Sequence, residues 1–221
     1  MIDRIVLASN NKGKLVELQA MFAPLKIALL RQGDLGVPEA EEPFGTFVEN
    51  ALAKARNAAR HSRLPAIADD AGLCVDAFGG RPGVDTAHYA TQFGYPKGDD
   101  NNVKALLEQM RDISQRRAAL VSTLVAVRSE HDPEPLIAVG RAVGEIARKP
   151  AGSNGFGFDP VMFMPRFGKT FAELPPEVKN AHSHRGQAAR QMVQLIRERW
   201  LAPLPPEGAE APWGGPAEPR L

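Results

Sequence analysis

Cysteine is almost missing from this chain: Cys74 stands alone among 221 residues. A single thiol excludes an intramolecular disulfide and a cysteine-rich zinc site, and its neighbours Leu73 and Val75 predict a buried, inert group. An excess of one charge is missing too. Lys and Arg number 27 against 26 Asp and Glu, a formal net charge of +1. No global field therefore draws the protein to nucleic acid or a membrane, and phosphate binding must come from local placement of basic groups. Long apolar runs are also absent. Ile5-Val6-Leu7-Ala8 is too short for the apolar region of a signal peptide, and no stretch approaches the roughly 18 residues of a membrane span. A cytoplasmic protein is expected. With 43% hydrophobic residues the chain has ample core for one sizeable domain or a two-lobed one.

What is present is an alternation. Arg4–Ala8 reads as a strand, Ser9–Gly13 as a polar turn, and Lys14–Phe22 as a helix with Leu15, Leu18 and Phe22 inward. Leu25–Leu30 reads as a second strand, followed by an acidic loop from Gln32 to Gly45. Thr46-Phe47-Val48-Glu49 is a capping-box pattern opening a helix to about His61, with Phe47, Ala51, Ala55 and Ala58 facing inward. From Pro65 a strand leads into Asp69-Asp70, where it is expected to end. Residues 79–98 read as a Gly/Pro-rich loop and Asn101–Met110 as a helix. Leu120–Arg128 and Leu136–Ile146 are predicted as long strands across the turn Glu130-His131-Asp132-Pro133. Gly152–Pro160 is a glycine-rich loop, Val161–Met164 a short strand, and Ser183 a cap for a last helix to about Leu201, with Ala188, Met192, Leu195 and Ile196 as its stripe. Residues 202–221, rich in proline and glycine, are expected to form a mobile tail on a domain spanning 1–201. No internal repeat is present. Helices alternating with strands around a long central pairing argue for an α/β fold with a mixed sheet.

Five clusters carry chemistry. The turn "SNNKGK" joins a strand to a helix N-terminus, where backbone N–H groups, a hydroxyl, two amides and two lysines suit an anion such as phosphate. It lacks the GxxxxGK[ST] pattern, so P-loop chemistry is not supported; a plain helix-capping turn is the alternative. Asn50, Lys54 and Asn57 share one helix face, either solvated or turned to a ligand. The adjacent carboxylates Asp69 and Asp70 repel, and alternation on a strand points them opposite ways, so they are expected to do different jobs. A hard cation, Mg²⁺ or Mn²⁺, bridging a carboxylate to substrate phosphates would balance the charge; two water-exposed turn aspartates are the alternative. "GSNGFGFDP" sets Phe156 and Phe158 among glycines that admit a flat ligand. "SHRGQA" puts His184 and Arg185 at a helix start, either as ligand contacts or as surface groups.

Together "LASNNKGKLVEL", "TFVENALAKA", "AIADDAGLCVDAFGGRPGV", "GFGFDP" and "HSHRGQA" resemble the inosine/xanthosine triphosphate pyrophosphatase family, from Ile5 to about Leu201. The resemblance implies an elongated mixed β-sheet flanked by helices, in two lobes with a nucleotide-binding cleft, and a homodimer. It implies Mg²⁺-dependent hydrolysis of ITP, dITP or XTP to the monophosphate and pyrophosphate, with water attacking the α-phosphorus. By the same resemblance Ser9, Asn10, Asn11, Lys12, Gly13 and Lys14 would hold the triphosphate, joined by Lys54. Asp70 would be catalytic and a metal ligand with Glu42, and Asp69 a supporting residue. Phe156, Gly157, Phe158 and Asp159 would contact the base, and Lys179, His184 and Arg185 would read its 6-oxo edge. Three positions depart from the family pattern: Ala71 for a Ser at the ligand, Phe158 for a Tyr, and His88 for an Arg. Two rivals remain: hydrolysis of bulky or methylated pyrimidine nucleotides, and a regulator that holds a nucleotide without cleaving it. The intact Asp69-Asp70 pair argues against the second.

Overall fold

The computed structural model describes residues 2–202, apart from the side chain of Lys12. Beyond Ala202 the expected tail lies outside the described residues. Seven strands form one mixed sheet in the order β2-β1-β3-β4-β5-β6-β7: β1 (Arg4–Leu7), β2 (Ala28–Arg31), β3 (Ala66–Val75), β4 (Arg117–Val127), β5 (Leu136–Ile146), β6 (Met162–Met164) and β7 (Lys169–Thr170). β1 runs parallel to β2 and β3, and every other pairing is antiparallel. Helices α1 (Lys12–Phe22), α2 (Phe47–Ser62), α3 (Asp99–Gln109), α4 (Pro176–His182) and α5 (His184–Ile196) flank it. This is the expected α/β architecture. β7 and α4 carried too short a pattern to be foreseen.

Local chemistry sets the element ends. Asn11 caps α1, its side chain accepting from Lys14 N–H at 3.0 Å. Thr46 caps α2 by accepting from Glu49 N–H, but its hydroxyl then donates to the Glu49 carboxylate, which closes the box differently from the expected pattern. Besides Asn50, α2 buries the alanines Ala51, Ala55, Ala58 and Ala59, so it lies close against the sheet. Ser183 caps α5 as expected, and Ala188, Ala189, Met192, Val193 and Ile196 form its buried stripe; Leu195 lies beside it.

One expectation is corrected. β3 does not end at Asp69-Asp70; it continues to Val75, because β4 pairs with all ten of its residues from Ala66↔Val127 to Val75↔Ala118. What ends is β1, whose last partner on β3 is Ile67. The two aspartates therefore sit mid-strand, just past the point where the parallel neighbour stops, and a crevice opens beside them.

The apolar core divides along the sheet at that point. Leu73, Val75, Ala118, Leu120, Ala142 and Ile146 pack with Tyr89, Leu106, Phe158 and Phe171 at one end. At the other, Ile67, Leu124 and Ala138 pack under α1 and α5, while Ala66, Ala68 and Val125 pack under α2. Between the two ends the strands carry Asp69, Asp70, Ser122, Thr123 and Gly140. The expected two lobes are the two halves of a sheet with a polar waist. Gly140 is required there: a Cβ would fall 1.9 Å from the backbone oxygen of His184, so only glycine lets the start of α5 reach the sheet. The β5 edge beside it is capped by α5, whose Gln187 and Gln191 accept from the N–H groups of Arg141 and Val139.

The long β4–β5 pair depends on its turn. Asp132 is 3% exposed and accepts from the N–H groups of Arg128 and Glu134 and from the Arg128 guanidinium. Those bonds, the Arg128 side chain foremost, hold its carboxyl down at about 2. Because the folded value is below the unfolded one, the stabilisation is complete above about pH 4 and is lost as pH falls through about 2. Asp132→Ala should lower stability at neutral pH by about 1–2 kcal/mol. In urea unfolding its deficit against the unsubstituted protein should shrink as the pH is lowered toward 2.

Candidate active site

The turn from β1 into α1 is built from its own side chains. The Ser9 hydroxyl accepts from Asn11 N–H at 3.2 Å, and the Asn10 amide donates to Glu39 at 2.8 Å. The side-chain oxygen of Asn11 is spent on the helix cap. Ser9, Asn10, Asn11 and Lys14 nonetheless line one pocket of about 210 Å³ together with Glu39, Glu42, Lys54 and Asp69. Gly13 opens the first turn of α1 toward Phe156. The expected role of the Lys12 side chain lies outside the described residues.

Asp69 and Asp70 face opposite ways, as alternation requires. Asp69 shares the Ile67 face. Its side chain has no exposed surface, takes a hydrogen bond from Ser122 at 2.6 Å, and pairs with Lys14 at 3.0 Å and Arg185 at 3.1 Å. Burial alone would raise its pKa, but Lys14 and Arg185 outweigh that and hold the carboxyl well below the usual range. Asp70 shares the α2 face. Its Oδ1 pairs with Lys54 at 3.1 Å, and Lys54 reaches Glu42 at 2.6 Å. Asp70 Oδ2 is buried and has no hydrogen-bond partner among the described residues. Burial, only partly offset by Lys54, holds the Asp70 carboxyl above the usual range.

The helix-face row on α2 resolves into one ligand-side residue and two staples. The Asn50 side chain bonds both backbone groups of Phe44, and Asn57 donates to the Pro38 oxygen at 2.8 Å. They pin the acidic loop on both sides of Glu42, which is how that carboxylate comes to Lys54.

Across the waist lies a cleft of about 560 Å³, lined by Asn11, Gly13, Lys14, Ala71, Gly72, Thr86, Asp99, Asn102, residues 155–159, Lys179, His184 and Arg185. Phe156 is 37% exposed, with the Lys179 ammonium 5.0 Å and the Arg185 guanidinium 5.4 Å from its ring centre. Phe158, expected as a base contact, is 3% exposed and belongs mainly to the apolar core. Gly157 donates to Asp99, and Asp159 accepts from Phe156 N–H and from Lys179 at 2.6 Å. Gly155, at φ +82°, keeps the Asp159 carboxylate and Lys179 within reach of the loop backbone. His184 is buried, and among the described residues its Nδ1 has no partner; burial foremost, with Arg185 and other cations, lowers its pKa. His88 is exposed and does not line the cleft.

Glu17 is the residue that pattern reading missed. It bridges Arg185 at 2.8 Å and Lys179 at 3.6 Å, and its only trace in the sequence is its place three residues after Lys14 on one face of α1. Asp99 and Ser122 were missed as well, since each acts through a partner remote in sequence.

A divalent cation fits this donor set in a limited way. Among the described residues no group of three or more His, Cys, Asp or Glu side chains forms a metal cage. Glu42 and the unmet oxygen of Asp70 offer hard oxygen ligands, which suits an ion completed by water and substrate phosphates.

The two aspartates should separate in stability. Asp69→Asn leaves Lys14 and Arg185 facing a neutral group and should cost about 3 kcal/mol in urea unfolding. Asp70→Asn removes a half-satisfied buried charge, so its stability should equal or exceed that of the unsubstituted protein. Equal losses in both would show that Asp70 also holds the fold together.

The Ham1 family model matches residues 5–195, from β1 almost to the end of α5. The dITP/XTP pyrophosphatase of Albidiferax ferrireducens is 77% identical over 198 residues, covering 90% of this chain and 100% of that protein. That of Methylibium petroleiphilum is 55% identical over 208 residues, with 90% and 100% covered. The solved structure of a HAM1 protein from Coxiella burnetii has a TM-score of 0.83 at 44% identity, covering 90% of this chain and 100% of that one. The Ham1 protein of Staphylococcus aureus gives 0.79 at 34%, covering 88% and 98%. Identity and fold agree over the whole stretch that carries the two pockets, and the chain belongs to the Ham1 family.

Proposed function

We propose that the protein is a metal-dependent pyrophosphatase that converts ITP, dITP or XTP and water to the nucleoside monophosphate and pyrophosphate. One observation carries this reading: Asn11 and Lys14 line both the cleft and the polar pocket, so one ligand with a flat head and an anionic tail fits across the pair. The relatives named dITP/XTP pyrophosphatase support the choice of substrate. Its working place is the cytoplasm, where nucleoside triphosphates are polymerised.

Asp70 and Glu42 would hold Mg²⁺, or Mn²⁺ in its stead. Such an ion supplies charge neutralisation at the phosphates and acidifies water. Asp70 takes the proton of the attacking water, a task suited to a carboxyl raised by burial. The water oxygen bonds to the α-phosphorus, the bridging bond to the β-phosphate breaks, and pyrophosphate leaves with the bonding electrons. Lys14 and Lys54 oppose the charge that grows on it. Lys14 has three N–H donors and uses one on Asp69, leaving others for phosphate.

Phe156 offers its ring to the base. Arg185 has two N–H groups committed to Asp69 and Glu17, so its remaining donors are held in fixed directions. A 6-oxo group accepts from such donors, whereas the 6-amino group of adenine meets them donor to donor. The kcat/KM for dITP should therefore exceed that for dATP by at least about 100-fold. In ¹⁸O-water the label should appear in the monophosphate and none in pyrophosphate. Equal rates on the two nucleotides would remove the base assignment, and release of orthophosphate would remove the reaction.

The working unit in this reading is a homodimer. β5 buries alternate residues under α5 and leaves Ile137, Val139 and Val143 between 42% and 47% exposed on the other face. α2 packs mainly on β3 and β4. A twofold copy seated there would bury this stripe. Sedimentation should report a dimer, and Val139→Glu should shift it to monomer.

A further inference from the structure

Lys54 stands where the two carboxylates assigned to a cation converge. Its Nζ lies 2.6 Å from Glu42 Oε2 and 3.1 Å from Asp70 Oδ1, so one ammonium spans both groups. Asp70 is 8% exposed, and among the described residues its Oδ2 has no partner. The backbone that carries Glu42 is held in place, since Asn57 at Pro38 and Asn50 at Phe44 fix the loop on either side of it. The two acidic groups are thus held within reach of one another, and a single positive centre serves both. An ammonium and a divalent ion on these carboxylates repel, and Lys54 holds one oxygen of each that the ion would otherwise take.

We infer that Lys54 is an exchangeable placeholder: in the nucleotide-free protein it neutralises Glu42 and Asp70 and excludes a divalent ion, and the incoming phosphates draw it off. Metal and nucleotide then bind as one event rather than in sequence. This rests on the metal-dependent reading above. The lysine suits the exchange, having a flexible four-carbon stem and three donors that a triphosphate satisfies as well as two carboxylates do. As it moves to phosphate, it releases one oxygen each from Glu42 and Asp70 to join the unmet Oδ2. By linkage, whatever factor the nucleotide adds to metal affinity, the metal adds to nucleotide affinity.

A lysine that only bound phosphate would behave differently. Its removal would weaken nucleotide binding and, by lifting its repulsion, tighten the metal by the same factor with and without nucleotide, leaving the coupling unchanged. Removing a placeholder weakens the nucleotide, tightens the metal alone and reduces the coupling between the two.

The test uses Mn²⁺ as the probe, followed by the electron paramagnetic resonance of the free ion, with and without α,β-imido-dITP, which cannot be cleaved at the reacting bond. The unsubstituted protein should bind Mn²⁺ weakly alone and at least about tenfold more tightly with the analogue. Lys54→Gln should bind Mn²⁺ alone about tenfold more tightly than the unsubstituted protein, with the coupling to the analogue reduced in proportion. Lys54→Met, which keeps most of the stem, should reproduce it, with circular dichroism confirming that both are folded. Unchanged or weaker Mn²⁺ binding in both lysine variants, or tighter binding with the coupling to the analogue unchanged, with the unsubstituted protein still binding Mn²⁺ beside the analogue, would overturn the placeholder and leave the metal reading standing. No Mn²⁺ bound by the unsubstituted protein even with the analogue would overturn both.

Discussion

Asp69 has no exposed side-chain surface, and it takes one hydrogen bond from Ser122 and two ion pairs, from Lys14 and Arg185. Withdrawing a carboxylate from water costs several kcal/mol unless its partners are in place. Those partners come from β4, α1 and α5, so the charge is tolerable only when all three elements have docked on β3. Gly140 makes the last docking possible by removing the Cβ that would strike the backbone of His184. A single buried charge thereby ties the folding of the sheet to the assembly of the site.

The same carboxylate joins the two halves of the ligand region. Lys14 lines the polar pocket as well as the cleft, Arg185 lines the cleft, and both rest on Asp69. From Arg185 the network continues through Glu17 to Lys179, then through Asp159 to the N–H of Phe156. Every cation in it has a carboxylate behind it, and each keeps donors to spare. Donors held this way need not reorganise when charge develops on the ligand. The cost of such a framework is met once, in folding.

Which parts of this were legible in the sequence follows from the range of each interaction. Caps are local, so Thr46, Ser183 and the turn at Asp132 were readable from a few residues. The alternation of β5 was readable because one face is buried and the other exposed. The end of β3 was misread because charge usually stops a buried strand, whereas here β4, fifty residues away, supplies Ser122 to one aspartate while Lys54 on α2 meets the other. Asn50 and Asn57 shared a face with Lys54 in the pattern, yet their work is to hold the loop of Glu42, and no spacing rule distinguishes a staple from a ligand. Phe158 looked like a partner of Phe156, but only the tertiary core decides which of two nearby rings is buried.

Two adjacent aspartates with opposite duties place a strict demand on register, since a slip of one residue would exchange them. Size resolves the demand. On the Asp70 face β3 carries Ala66 and Ala68, which meet the alanine-lined face of α2. On the Asp69 face it carries Ile67, and beyond the waist Leu73 and Val75, which fill deeper cores. A slipped strand would press Ile67 against the alanines of α2 and leave cavities on the other side, and both errors cost stability. Packing that has no part in the chemistry thus fixes which carboxylate is paired on every side and which keeps an oxygen free. The satisfied one organises the fold, and the unsatisfied one keeps an oxygen unpaired among the described residues, a departure from full polar pairing that is expected in a functional site.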